Sequence, residues 1–181
     1  MPFNKLKKYP ELLELNSLDE RARKASLKGI FDRDITDNEN FCFRGKRIYP
    51  IKTDGVIDME RELLHLTTEE IEDADEQGNI YKHRVYDRYR SERLHWIKPH
   101  IEEKITDSDI VVFSVNERNH RKRTNVVRTY IWNKTRKYII ALEPQMKNGK
   151  AYYLLTAYYL NKEYGEKQMK KKFASKLDEV L

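Results

Sequence analysis

Four runs in the second half of the chain constrain its fold most: "DIVVFSV" (109–115), "VVRTYIWN" (126–133), "KYIIALEP" (137–144) and "AYYLLTAYYL" (151–160). β-branched and aromatic residues dominate each, and such side chains fit a pleated, half-buried surface. Only "KTR" separates the second run from the third, so these two form an antiparallel hairpin. "QMKNGK", with Asn148 and Gly149, reads as the turn into the fourth. The closing "KEYGEKQMKKKFASKLDEVL" reads as a helix with Met169, Phe173 and Leu177 in one stripe and lysines elsewhere.

Upstream, residues 5 to 28 read as helical with a break near Pro10. Pro10 suits a helix start, Ser17 and Glu20 form a capping box, and Gly29 ends the second helix. "FCFRGKRIYPI" (41–51) reads as a hairpin turning at Arg44 and Gly45, and "IDMERELLHL" as a short amphipathic helix. "TTEEIEDADEQGN" reads as an acidic loop or helix end, and "IYKHRVYD" alternates as a strand. This order predicts an α+β fold: N-terminal helices, a four-stranded antiparallel β-meander and a C-terminal helix. The expected division is a helical extension over 1–40, packed on a main domain over 41–181.

Composition narrows the function classes. The 181 residues suffice for one ordinary domain. A formal charge of +6 favours polyanionic partners. Residues 58–76 are acidic and residues 118–137 basic, so the fold is expected to present one surface of each sign. The single cysteine, Cys42, sits between two phenylalanines and reads as a half-buried strand residue. No run resembles a signal peptide or reaches membrane-spanning length, which points to a reducing, cytoplasmic compartment and no membrane partner. The Gly-rich phosphate loops, CxxC, HExxH and GxSxG patterns are absent from the sequence. No metal site and no cofactor are therefore expected. The remaining basic, imidazole and hydroxyl groups suit metal-independent RNA cleavage. That reaction needs a base for the 2′-OH, an acid for the leaving 5′-oxygen and cations for the phosphorane.

The candidates concentrate in "YRSERLHWIKPHIEEK" (89–104). Read as a helix N-capped by Asp87, it places Leu94, Ile97, Ile101 and Ile105 on a core stripe. Tyr89, Arg93, Trp96 and His100 fall on another side, and His95 points between Glu92 and Glu102. Pro99 kinks or restarts the helix. His95 is read as a general acid or base, or as a surface histidine beside glutamates. His100 contacts nucleic acid or stacks on Trp96. Arg90 and Arg93 are phosphate ligands or a solvated face, and Lys98 is a further nucleic-acid contact. On the second strand Arg128, Tyr130 and Trp132 share one face, suited to phosphate and base contacts; the alternative is an arginine paired with Glu143. Thr156 needs a hydrogen-bond partner inside so apolar a strand: a phosphate oxygen or a neighbouring side chain. His65 reads as structural. "RNHRKR" (118–123), with Arg121, Lys122 and Arg123, reads as a loop gripping a nucleic-acid backbone.

"RSERLHWIKPHIEE", "RTYIWN", "YIIALEP" and "YYLLTAYYLN", followed by the lysine-rich tail, resemble the phage-associated nucleases of the BECR class, which groups barnase, EndoU, colicin and RelE-like domains. The resemblance spans roughly residues 40 to 180. It implies a BECR-like nuclease domain with a helix before a four-stranded antiparallel sheet, and RNA cleavage as the activity. Carried onto this sequence, it implies Arg90 and His95 on the helix, Arg128 and Tyr130 on the sheet, and Thr156 on the last strand. The expected function is a toxin-like or phage-related endoribonuclease acting on RNA such as tRNA or ribosome-associated mRNA. An acidic antitoxin or immunity protein is an expected partner. The alternative is a non-catalytic RNA- or ribosome-binding module.

Overall fold

The computed structural model describes residues 2–50, 52–53, 55–119, 123–145 and 151–181. Arg121 and Lys122, and the turn read at Asn148 and Gly149, lie outside the described residues.

The fold is α+β. In chain order the helices are α1 (Pro2–Leu6), α2 (Glu20–Phe31), α3 (Met59–Thr67), α4 (Arg88–Ser91), α5 (Ile97–Ile101) and α6 (Glu163–Ala174). A π-helical turn (Asp32–Thr36) extends α2, and a 3-10 turn (Leu94–Trp96) joins α4 to α5. The strands are β1 (Cys42–Phe43), β2 (Lys46–Tyr49), β3 (Lys52–Thr53), β4 (Val56–Ile57), β5 (Thr68–Ala74), β6 (Ile80–Tyr86), β7 (Ile110–Asn119), β8 (Thr124–Asn133), β9 (Tyr138–Pro144) and β10 (Ala151–Tyr159).

The main sheet has the order β1-β2-β10-β9-β8-β7. Strands β7 to β10 pair antiparallel with their sequence neighbours. The expected four-stranded antiparallel sheet is nevertheless incomplete. The hairpin β1–β2 joins its edge, and β2 runs parallel to β10, so the sheet has six strands and is mixed. The hairpin turn has Arg44 at φ 48° and Gly45 at φ 76°, the paired left-handed geometry of a two-residue turn. Contact with β2 covers only Ala151–Tyr153 of β10. Beyond it, α3 and α4 pack beside β10.

Both faces of the sheet are covered because the strands alternate. Ile131, Ile140, Leu142 and Leu154 face Leu27, Ile30, Phe31, Leu94, Ile97 and Ile101 of the helical segments. Phe113, Tyr130, Trp132, Ile139 and Ala141 face Leu160, Met169 and Phe173. Full burial of each aliphatic side chain contributes about 1.5–3 kcal/mol.

Several elements depart from the sequence reading. The 87–105 helix is broken into α4, the 3-10 turn and α5; Asp87 does cap it, accepting from the Arg90 amide at 3.1 Å. Helix α2 is capped by Asp19 rather than Ser17, with the Ala22 amide donating at 2.7 Å, and it runs past Gly29. Gly29 instead admits the Lys5 side chain, whose Cε would lie 2.9 Å from an added Cβ. The acidic "TEEIEDA" is a strand, β5, paired with β6, which supplies compensating charge: Lys82 meets Glu72 at 3.0 Å and Glu70 at 3.8 Å.

Candidate active site

The sequence-predicted residues divide into two groups that the fold separates. Arg90 with Thr156, and Arg128 with Tyr130, form two neighbouring groups of one cluster around the face of the sheet that carries α6, and Tyr158 senses charged groups of both. The register sets its floor. Phe113, Tyr130, Ala141 and Thr156 form one cross-strand row, so small Ala141 lies between Tyr130 and Thr156. Two strand spacings separate that pair, about 10 Å. A bulge at Leu155 shifts the register of β10 and turns Thr156 onto this face.

Arg90 reaches the cluster over the edge of β10 that β2 leaves uncovered. Its guanidinium donates to the Thr156 hydroxyl and to the His65 carbonyl, both at 3.3 Å, and to Asp87 at 3.1 Å. It also stands 5.6 Å from the centre of the Tyr158 ring. Arg84 donates to the same His65 carbonyl at 3.4 Å. Burial, with the charges on Arg84 and Arg90, pushes the His65 imidazole down to about 4. It is therefore neutral near pH 7.

The second half of the cluster is centred on Glu117, near the end of β7. Tyr130 and Lys172 both donate to its Oε1, the former at 2.8 Å, and Arg128 donates to Oε2 at 3.0 Å. Lys172, from α6, also donates to the Tyr130 hydroxyl at 2.8 Å. Burial pushes the Glu117 carboxyl up. Hydrogen bonds from Lys172 and Tyr130 and the nearby cations outweigh it, and hold the carboxyl below its ordinary value. Burial and the Glu117 charge raise the Tyr130 phenol. Arg128 Nε is buried with no hydrogen-bond partner among the described residues. Arg128 thus pairs with Glu117, not with the Glu143 that the sequence suggested.

His95 is not part of this cluster. It sits in the 3-10 turn, 4% exposed, against the N-terminal segment rather than between Glu92 and Glu102. The charged groups it senses are Asp34, Arg33 and Glu11. Burial pushes its imidazole down to about 4. His100 is a core residue, with Nδ1 against the Trp96 carbonyl (2.7 Å) and Nε2 against Asn133 (3.0 Å). Arg93 is buried, its guanidinium 4.0 Å from the centre of the Tyr159 ring. Trp132 packs on Phe173. His100 and Arg93 are thus held in packing, and Trp132, itself buried, lines a groove with Lys134, Lys170 and Phe173. Lys98 lines a separate cleft with His95. Arg123, just before β8, is exposed and has φ 52°.

Sequence reasoning missed Glu117 and Lys172. Alternation carried two residues beyond the apolar run puts Glu117 on the Phe113–Val115 face, diagonal to Arg128. Helical spacing puts Lys172 three residues after Met169, on the inward stripe of α6. Those two periodicities were the available signals. No family model, curated protein or solved structure matches this chain.

Proposed function

We propose that the protein is a metal-independent endoribonuclease of the toxin-like or phage-related kind, acting through the Arg90–Thr156–Glu117 face of its sheet. The observation that carries this reading is the convergence of three donors, Arg128, Lys172 and Tyr130, on one ionised, half-buried carboxylate. Glu117 takes the proton of the ribose 2′-OH, and the 2′-oxygen attacks phosphorus. Arg128, whose Nε has no partner among the described residues, and Arg90, anchored on Thr156, bind the phosphate and offset the charge of the phosphorane. Lys172 delivers a proton to the departing 5′-oxygen as the P–O bond breaks. The products are a 2′,3′-cyclic phosphate and a 5′-hydroxyl.

The BECR-like architecture belongs to the same proposal, with the β7–β10 meander as the nuclease platform and β1–β2 as an addition. RNA is the proposed partner, tRNA and ribosome-associated mRNA being the substrates to try first. An acidic antitoxin or immunity protein would cover the basic groups of this face.

One observation favours a second reading, an RNA-binding module without cleavage. Both oxygens of Glu117 are already engaged, and a carboxylate so held is a weaker base. Incubation with total RNA and tRNA in EDTA, with end-group analysis, separates the two. Cyclic-phosphate ends support the nuclease; salt-sensitive binding without products supports the module.

A further inference from the structure

A second feature stands apart from this cluster and shares no residue with it. Between the N-terminal segment and the chain after α5 lies a cleft of about 620 Å³. That volume lies within the range of small-molecule sites, roughly 300–1,000 Å³. Its walls carry Lys5, Lys7, Lys8, Arg33, Lys98 and Lys104 against only two carboxylates, Asp34 and Asp107.

The cations are not equivalent. Arg33 is spent in a fork on Asp34, Lys7 reaches Glu14 at 3.0 Å, and Lys104 reaches Glu102 at 2.7 Å. Lys5, Lys8 and Lys98 have no carboxylate within ion-pair distance among the described residues. The cleft therefore keeps uncompensated positive charge. Leu6, Tyr9, Pro99 and Ile105 add an apolar wall of the kind that receives a flat ring.

His95 supplies the independent observation. It forms part of the wall at 4% exposure, and both ring nitrogens lack a hydrogen bond of ordinary geometry among the described residues. The Glu11 carbonyl beside it is shared: Trp96 Nε1 donates to it at 3.0 Å, and it also acts on the imidazole as a backbone acceptor. One ring nitrogen is thus left without a partner among the described residues, and a buried polar atom left unsatisfied costs about 1–3 kcal/mol. In the tautomer that carries the proton on that nitrogen, it fits an acceptor oxygen that arrives with a ligand.

We infer that this cleft binds a phosphate monoester of nucleotide size, with Lys8 and Lys98 holding the phosphate and the apolar wall receiving the base. His95 donates to a phosphate oxygen once the side chains above it part. The inference does not depend on RNA cleavage by the opposite cluster.

Calorimetric and NMR titration of the full chain at low ionic strength tests it, using inorganic phosphate, AMP, adenosine, and a short RNA with and without a 5′-phosphate. AMP is expected to bind more tightly than adenosine and to move the His95 ring resonances. The Lys8→Glu/Lys98→Glu double variant is expected to weaken AMP by at least about tenfold with an unchanged melting transition. Arg90→Ala is expected to leave AMP binding intact, so that loss of cleavage and loss of this site are read separately. A preference for 5′-phosphorylated RNA over AMP would place the phosphate on an RNA end, and the reverse on a free nucleotide; both support the site. Equal binding of AMP and adenosine, no binding of AMP or phosphorylated RNA, or an unaffected double variant would overturn it.

Discussion

Among the described residues, three histidines have imidazoles pushed down to about 4: His65, His95 and His100. In each, burial is the leading cause. Their folded pKa lies below the unfolded value near 6.5, so the unfolded chain binds more protons between these limits. Stability from this source is complete above about pH 6.5 and is lost as pH falls towards 4. His95 and His100, the most buried, each contribute a slope of up to about 1.4 kcal/mol per pH unit in that window. Urea midpoints from pH 7 to 4.5 should fall accordingly, and His95→Gln should flatten the profile by its own share. Glu117 acts further down, because its folded pKa is depressed. Its contribution is present above the ordinary carboxylate value of 4.5 and is lost as pH falls through the folded value. The sequence made part of this legible. Arg90 lies close to the core stripe of its helix, and a residue so placed reaches under the edge of the sheet, as it does to Thr156. The position of His95 was not legible. It depends on residues 8–14 folding back over the 3-10 turn, and no local pattern encodes that contact.

At the scale of elements, the Arg88–Ile101 region shows why the predicted helix fails. Its Leu94, Ile97 and Ile101 stripe is buried as expected, but Trp96 and His100 are buried as well. Packed on two sides, the segment takes three short turns instead of one helix with a wet face. Asn133, at the end of β8, joins this region to the sheet and to the N-terminal segment. Its amide nitrogen lies 3.0 Å from both the Tyr9 hydroxyl and His100 Nε2, and its oxygen accepts the Arg136 amide at 2.8 Å. Asn133→Leu removes all three bonds and leaves buried groups unpaired. The expected cost is roughly 3 kcal/mol in urea unfolding. Arg90→Ala unties Thr156, the His65 carbonyl and Asp87 together, and should cost roughly 1–2 kcal/mol by the same measurement. Strand β5 eluded sequence reading because its acidic residues have poor strand propensity. Only the basic partner β6, known once the register is known, explains it.

For the whole molecule, the apolar runs determined the meander, and their alternation determined which side chains meet α6 and which meet the N-terminal helices. The added β1–β2 edge was not foreseeable, since its parallel contact with β10 involves only three residue pairs. The fold thus separates two chemically distinct regions, a carboxylate-centred cluster around one face of the sheet and a lysine-rich cleft by the N-terminal segment. The first of these is the proposed site of RNA cleavage. The decisive measurement is single-turnover cleavage of RNA in EDTA, compared for the parent chain, Glu117→Gln, Arg128→Ala and His95→Gln. Expected are cyclic-phosphate products from the parent chain, a loss of roughly 10²–10⁴ in rate for Glu117→Gln, a comparable loss for Arg128→Ala, and a near-parental rate for His95→Gln. No cleavage by the folded parent chain, or a rate that survives Glu117→Gln and collapses in His95→Gln, would contradict it.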